Sequence, residues 1–229
     1  MESLIRYAPL LASGAMVTAA LAVLSLVLAT LLGMFGAAGK LAGGPVTRGL
    51  VLGYTTLVRG VPDLVMLLLV YFGGQRLLNT VIGAFGGTGG DLSPFLSGVL
   101  SIGFIYGAYL TETFRGAYLA VPRGQIEAAR ALGMRPLPLL WTVSGPQVAR
   151  FALPGYANTW QVLVKSTAVV SVIGLQDLVG LANDAGKTAR QPFLFFVAVL
   201  LFYLLVTWIS TTAFERLEGR FSRGLARAH

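Results

Sequence analysis

Few side chains in this chain could act on a solute, and they sit inside or beside long apolar stretches. Arg59 and Asp63 flank Gly60-Val61-Pro62. Asn158, Gln161 and Lys165 recur at i, i+3 and i+7, which puts them on one helix face, and Ser166 follows directly. Glu112 and Arg115 stand at i, i+3. A charge in hydrocarbon is costly and is kept where it has a partner or lines a water-filled path. These residues are therefore suited to guiding a polar or charged solute. Nothing comparable supports bond-making chemistry. There is no Cys, and the one His is His229, the last residue. That excludes disulfides and thiolate metal sites and leaves no His-based catalytic or metal cluster. No catalytic residue and no metal ligand is assigned.

The elements that must hold these residues are membrane helices. The chain of 229 residues is 55% hydrophobic and only 11% charged, with mean hydropathy +0.76, whereas a soluble domain carries about 25% charge. Residues 7–39, 92–111 and 191–214 carry no charge. Each run reaches the ~20 residues that cross the hydrocarbon as a helix, and lipid forces the backbone to satisfy itself within the segment. The pattern predicts an all-α integral membrane protein with five spans. They are Leu11–Ala37, Gly49–Phe72 (interrupted at Arg59–Asp63), Leu92–Glu112, Phe151–Ile173 and Pro192–Phe214. Residues 1–10 precede them, the spans occupy 11–214, and 215–229 form a basic tail. Gly83–Gly90 reads as a turn region. The first apolar run lacks a basic leader and reads as a retained helix. Most of the 17 Lys and Arg fall on one side if the N-terminus is outside and the C-terminus inside. The net charge of +8 is then a cytoplasmic bias and not a nucleic-acid surface. No internal repeat stands out.

Pro62 removes a backbone donor and breaks the second span. Asp63 then falls in the first turn of the next helix, where the dipole favours an anion. Two readings stay open. One is a hinge beside a translocation path, with Asp63 facing a cationic solute. The other is a structural kink closed by an Arg59–Asp63 pair. The polar face of the fourth span either lines the path or makes interhelical hydrogen bonds. Glu112 and Arg115 read as a structural ion pair.

Gly124-Gln125-Ile126-Glu127-Ala128-Ala129-Arg130-Ala131-Leu132-Gly133 is a helix-favouring, mixed-charge island between apolar blocks. Gly133 suits the left-handed position that ends a helix. Pro136, Pro138 and Pro146 predict a short helix, a turn and a second short amphipathic piece around Leu139–Val143. The alanines give a low surface on which a partner's backbone can rest, and Glu127 supplies an anion near the helix start.

The Glu-Ala-Ala…Gly pattern of this island resembles the cytoplasmic loop of binding-protein-dependent ABC importer permeases. Thr111–Met134, Gly53–Val65 and Leu153–Leu178 are similar to the polar-amino-acid branch of that family, so the likeness covers nearly the whole chain. It looks most like the Q-type membrane subunit of the histidine/lysine/arginine/ornithine importers. The resemblance implies a type I ABC importer permease fold in the bacterial inner membrane, with a coupling region at about 121–146. It implies ATPase contact through Gln125, Glu127, Ala128, Ala129, Arg130, Leu132 and Gly133. It also implies a path that includes Arg59, Pro62, Asp63, Asn158, Gln161, Lys165 and Ser166. The implied partners are a second permease subunit, two cytoplasmic ATPase subunits, a periplasmic amino-acid-binding protein and membrane lipid, with no nucleic acid. ATP and Mg would sit on the partner ATPase, and no cofactor in this chain. Two positions depart from the family: Val61 stands where Thr is usual, and Ser166 where several basic-amino-acid permeases carry Asp. The second departure places recognition of a cation partly on the other permease subunit.

Gly180–Thr188 imitates a phosphate-binding loop, but five residues separate its two glycines where four are required, and no strand precedes it. It is set aside. Gly14, Ala15, Thr18, Ala19 and Ala22 suit close helix packing, within the chain or between subunits, as do Gly103, Gly107 and Ala108. Phe193, Phe195, Phe196, Phe202, Tyr203 and Trp208 read as lipid-facing and interfacial packing. Arg59, Asp63 and Lys165 would also serve an ion-coupled secondary transporter or channel, which should move solute without ATP.

Overall fold

The computed structural model describes residues 2–85 and 91–221. Among them the regular structure is entirely helical: α1 (Glu2–Ala42), α2 (Pro45–Gly60), α3 (Asp63–Ala84), α4 (Pro94–Leu119), α5 (Arg123–Ala131), α6 (Pro136–Leu139), α7 (Gly145–Ser166), α8 (Leu178–Thr188) and α9 (Pro192–Phe221). A π turn at Leu140–Ser144 joins α6 to α7, and a 3-10 turn at Thr167–Ile173 follows α7. Part of the Gly83–Gly90 turn, and Arg223, Arg227 and His229 of the basic tail, lie outside the described residues.

Among the described residues, four helices are long and apolar enough to cross a membrane: α1, α3, α4 and α9. A fifth candidate is the bent pair 136–173 and α8, which meet at 55°. The middle of the bundle is α4, which is buried on most sides and packs along α1 and α7. Small residues make that packing possible. A Cβ on Gly36 of α1 would lie 2.3 Å from Thr111 Oγ1, and one on Gly103 of α4 would lie 2.6 Å from Leu28. The two backbones thus approach as only glycine permits. Gly14, Thr18 and Ala22 also pack within the chain. Gly14 and Thr18 lie against the start of α8, where Leu178 N–H donates to Thr18 Oγ1 at 3.1 Å.

The structure corrects several boundaries. The second predicted span is two helices. The membrane-length one is α3, which begins at Asp63 and carries Arg76 inside it. Sixteen residues rise only about 24 Å, so α2, with Arg48 and Arg59, falls short of the hydrocarbon thickness. The break between them is where Pro62 put it. Pro146 does not interrupt the chain, because the wider π turn just before it shifts the hydrogen-bond ladder and the helix runs on from 136 to 173. Between the fourth and fifth predicted spans, where no element was read, the structure has α8. Its small apolar residues Ala182, Ala185 and Gly186 face the core, and its polar ones face out. Asp177 caps it, accepting from Gly180 N–H at 2.9 Å. The phosphate-loop look-alike is thus helical along its length. Phe195 is fully buried against α8 and stacks edge-on to Tyr7, so it is not lipid-facing. α9 continues through Phe221, beyond the predicted start of the tail.

Candidate functional site

The break between α2 and α3 supplies the first group of residues. Gly60 ends α2, Pro62 is extended, and Asp63 opens α3 at its positive end. No Arg59–Asp63 ion pair forms. The guanidinium of Arg59 lies over the ring of Tyr109, 5.4 Å from its centroid. Asp63 Oδ2 accepts a hydrogen bond from Tyr106 Oη at 2.8 Å. Tyr106 and Tyr109, one helical turn apart on α4, stack at 5.6 Å. The same Tyr106 hydroxyl meets Ser166 Oγ at the end of α7. The cluster therefore carries a cation at one edge, a carboxylate at the other and two phenols between them. Asp63 and Ser166, more than a hundred residues apart in sequence, are joined through Tyr106.

Below this cluster, toward the end of the bundle that carries α5, a cavity of about 620 Å³ opens between α1, α2 and α4. It is lined by Lys40, Arg48, Thr55, Arg59, Glu112 and Arg115, among others. Arg115 Nε donates to Glu112 Oε2 at 2.9 Å. Lys40, at the end of α1, pairs with Glu112 Oε1 and donates to Thr55 Oγ1 at 2.6 Å. One ammonium, that of Lys40, thus ties α1 to both α2 and α4. Arg115 is the outermost member, with 37% of its side chain exposed against 10% for Lys40.

The polar face of α7 divides. Gln161 Nε2 donates to Thr211 Oγ1 of α9 at 2.9 Å, an interhelical bond. Asn158 is exposed and lines, with Gln161, a small cavity against α9. Lys165 is exposed and forms no ion pair among the described residues. The structure thus brings Asp63 and Ser166 together and sets Arg59 near them. Asn158 and Gln161 belong to a different helix contact.

The mixed-charge island forms α5, nine residues long. It ends as its sequence predicts. Gly133 has φ 79°, its N–H donates to Arg130 O at 2.9 Å, and Met134 N–H donates to Ala129 O at 3.1 Å. That pair of bonds is the Schellman closure. Ala129 alone in α5 is buried, while Gln125, Glu127, Ala128, Arg130 and Leu132 are exposed. The segment is held back to α7 by Gln147 Nε2, which donates to Gln125 Oε1 at 2.5 Å.

Sequence reasoning missed Tyr106, Tyr109, Lys40 and Thr55. For Tyr106 a signal existed: a phenol between Gly103 and Gly107 in a buried helix must find a polar partner. Lys40 gave only a weak one, a lone cation ending an uncharged run.

Comparison with known proteins fits this geometry. Residues 29–223 match the family described as binding-protein-dependent transport system inner membrane component. The histidine/lysine/arginine/ornithine transport system permease protein HisQ of Escherichia coli (strain K12) is 47% identical over 215 residues, 94% of each chain. The octopine transport system permease protein OccQ of Rhizobium radiobacter is 43% identical over 196 residues, 85% of this chain and 83% of that one. Among solved structures, an amino acid ABC transporter crystallised with histidines superposes with TM-score 0.81 at 31% identity, covering 95% of this chain and 97% of the other. The helical bundle accordingly has the type I ABC permease fold. This chain belongs to the binding-protein-dependent inner-membrane permease family and is an amino-acid ABC transporter permease.

Proposed function

We propose that this subunit forms half of the path for basic amino acids, the class of histidine, arginine, lysine and ornithine, and that α5 couples the path to a cytoplasmic ATPase. The observation that carries the reading is the dipolar cluster at the α2–α3 break. Asp63 offers a carboxylate for a cationic side chain. Arg59, on the other side of the tyrosine pair, offers a cation for an α-carboxylate. A zwitterion with an extra positive charge matches that order of charges. The cavity beneath leads from the cluster toward the α5 end. The histidine, lysine, arginine and ornithine transport to which HisQ belongs points to the same class.

Five spans follow if the bent pair counts as one, with the N-terminus outside and α5 in the cytoplasm. The exposed residues of α5 are the surface for an ATPase subunit, which holds ATP and Mg. A second permease subunit completes the path, and a periplasmic binding protein delivers the solute. The test is reconstitution of the complete complex in liposomes. Arginine uptake should require ATP and fall at least tenfold in Asp63→Asn, on the order of the loss of one charge-assisted contact. Uptake by this chain alone without ATP would refute the reading and favour an ion-coupled carrier.

A further inference from the structure

We propose that Tyr106 is a specificity-determining positioning residue, the group that holds Asp63 ready for a cationic side chain. The inference rests on the proposed role of Asp63 and adds a residue that neither the sequence motifs nor the family resemblance marks.

Tyr106 is only 2% exposed, in the most buried helix of the bundle, so its hydroxyl has no recourse to bulk water. It has two partners, Asp63 Oδ2 on α3 and Ser166 Oγ on α7. An ionised carboxylate has no proton to give, so the phenol must donate to Asp63. The phenol oxygen then accepts, and Ser166 donates to it. The chain of protons has one direction, Ser166 to Tyr106 to Asp63. It pins one carboxylate oxygen and leaves Oδ1 of Asp63 without a hydrogen bond among the described residues. The ring is itself fixed by stacking on Tyr109, the same ring that Arg59 covers.

A carboxylate at a helix start next to a proline break would otherwise swing among rotamers. Fixing it beforehand removes an ordering cost from ligand binding. Recognition of a guanidinium or ammonium depends on that fixed orientation, because such groups donate along defined directions. A side chain of the same shape without charge gains far less. Ser166 carries no charge of its own and acts one step back, by orienting the phenol.

The experiment uses the detergent-purified permease–ATPase complex without the binding protein, with equilibrium dialysis of arginine and of citrulline, its uncharged isostere. Arginine should bind more tightly than citrulline. Tyr106→Phe keeps the ring and its stacking, and it should weaken arginine about tenfold while moving citrulline less than about twofold. In an Asp63→Asn background the same change should move arginine less than about twofold, since the two residues act as a unit. Ser166→Ala, which leaves Tyr106 in place, should weaken arginine selectively by about threefold. It carries the test if the phenylalanine variant fails to assemble. Equal loss for both ligands, or an undiminished effect in the Asp63→Asn background, would overturn the proposal, as would arginine affinity unchanged in both the Tyr106 and the Ser166 variants. If Asp63→Asn alone leaves the preference for arginine intact, the role of Asp63 fails instead.

Discussion

Gly133 offers a clean separation of conformation from crowding. Its φ of 79° lies in the left-handed region, and a Cβ built there would meet nothing within 4 Å. A substitution therefore costs only what the backbone angle costs, roughly 1–2 kcal/mol for an ordinary L-residue and more for a β-branched one. Asn visits that region with a smaller penalty. The helix it closes has nine residues, and a helix that short is marginal without its cap. About 1–2 kcal/mol therefore changes the population of the closed form by a factor of roughly 5–30. Three variants follow: Gly133→Asn, Gly133→Ala and Gly133→Val. The expected order of ATP-driven uptake by the reconstituted complex is wild type, Asn, Ala, Val, with Val reduced at least fivefold. Insertion and recovery of this chain from membranes should stay normal in all three, because no packing contact is lost. Wild-type uptake by Gly133→Val would refute the reasoning. So would Asn and Val being equally impaired, since that would make side-chain bulk at the partner surface the cause.

Two further outcomes are expected. Glu112→Gln leaves Lys40 and Arg115 facing each other with no carboxylate between them. Removing one partner of a buried pair costs roughly 3–5 kcal/mol, and the exposure of Arg115 places this case at the low end. The melting temperature of the purified complex should fall clearly, and Lys40→Met combined with Glu112→Leu should recover much of the loss. The chain contains no Cys, so single cysteines report topology without background. A cysteine at Val46, which is 77% exposed at the start of α2 and lies outside the proposed ATPase surface, should react with a membrane-impermeant maleimide in inverted vesicles and not in intact spheroplasts. The opposite pattern would reverse the proposed orientation.

The legible parts of the sequence were those set by local chemistry. Pro62 after Gly60 marked a break that no neighbour could repair, and Asp63 had to open whatever helix followed. Gly133 announced a helix end because few residues tolerate that angle. Uncharged runs longer than the hydrocarbon thickness gave most of the spans. Where the reading failed, a distant contact decided the outcome. α8 lies between two predicted spans where no element was read, and what makes it a packed helix is the closure of its apolar face by α1 and α9. Arg59 and Asp63, four residues apart, were natural partners on paper. Each instead found a tyrosine of α4, and no rule of spacing announces a partner on another helix. Lys40 reached Glu112 across 72 positions of sequence.

On the proposed reading, the same contacts give a reason for α5 and the Asp63 site to move together. α4 carries Tyr106 in its middle and Glu112 and Arg115 near its end, and after the three residues that follow α4 the chain enters α5. On the other side, α5 is bound to α7 through Gln125 and Gln147, and α7 ends at Ser166. The two helices leaving the coupling segment are therefore the two whose side chains meet at the Tyr106 hydroxyl. α1 and α2 are tied to the C-terminal end of α4 by Lys40 and Thr55 and follow it. A tilt imposed on α5 by a partner cannot be absorbed by α4, which is packed against α1 at glycine distance. α7 follows α4 closely as well, since a Cβ on Gly155 would lie 2.8 Å from Thr113 of α4. A displacement of the pair reaches the Tyr106–Ser166 hydroxyl contact beside the proline break, and the same phenol holds Asp63. On the proposed reading, a partner that grips α5 can loosen the carboxylate that holds the solute without touching it.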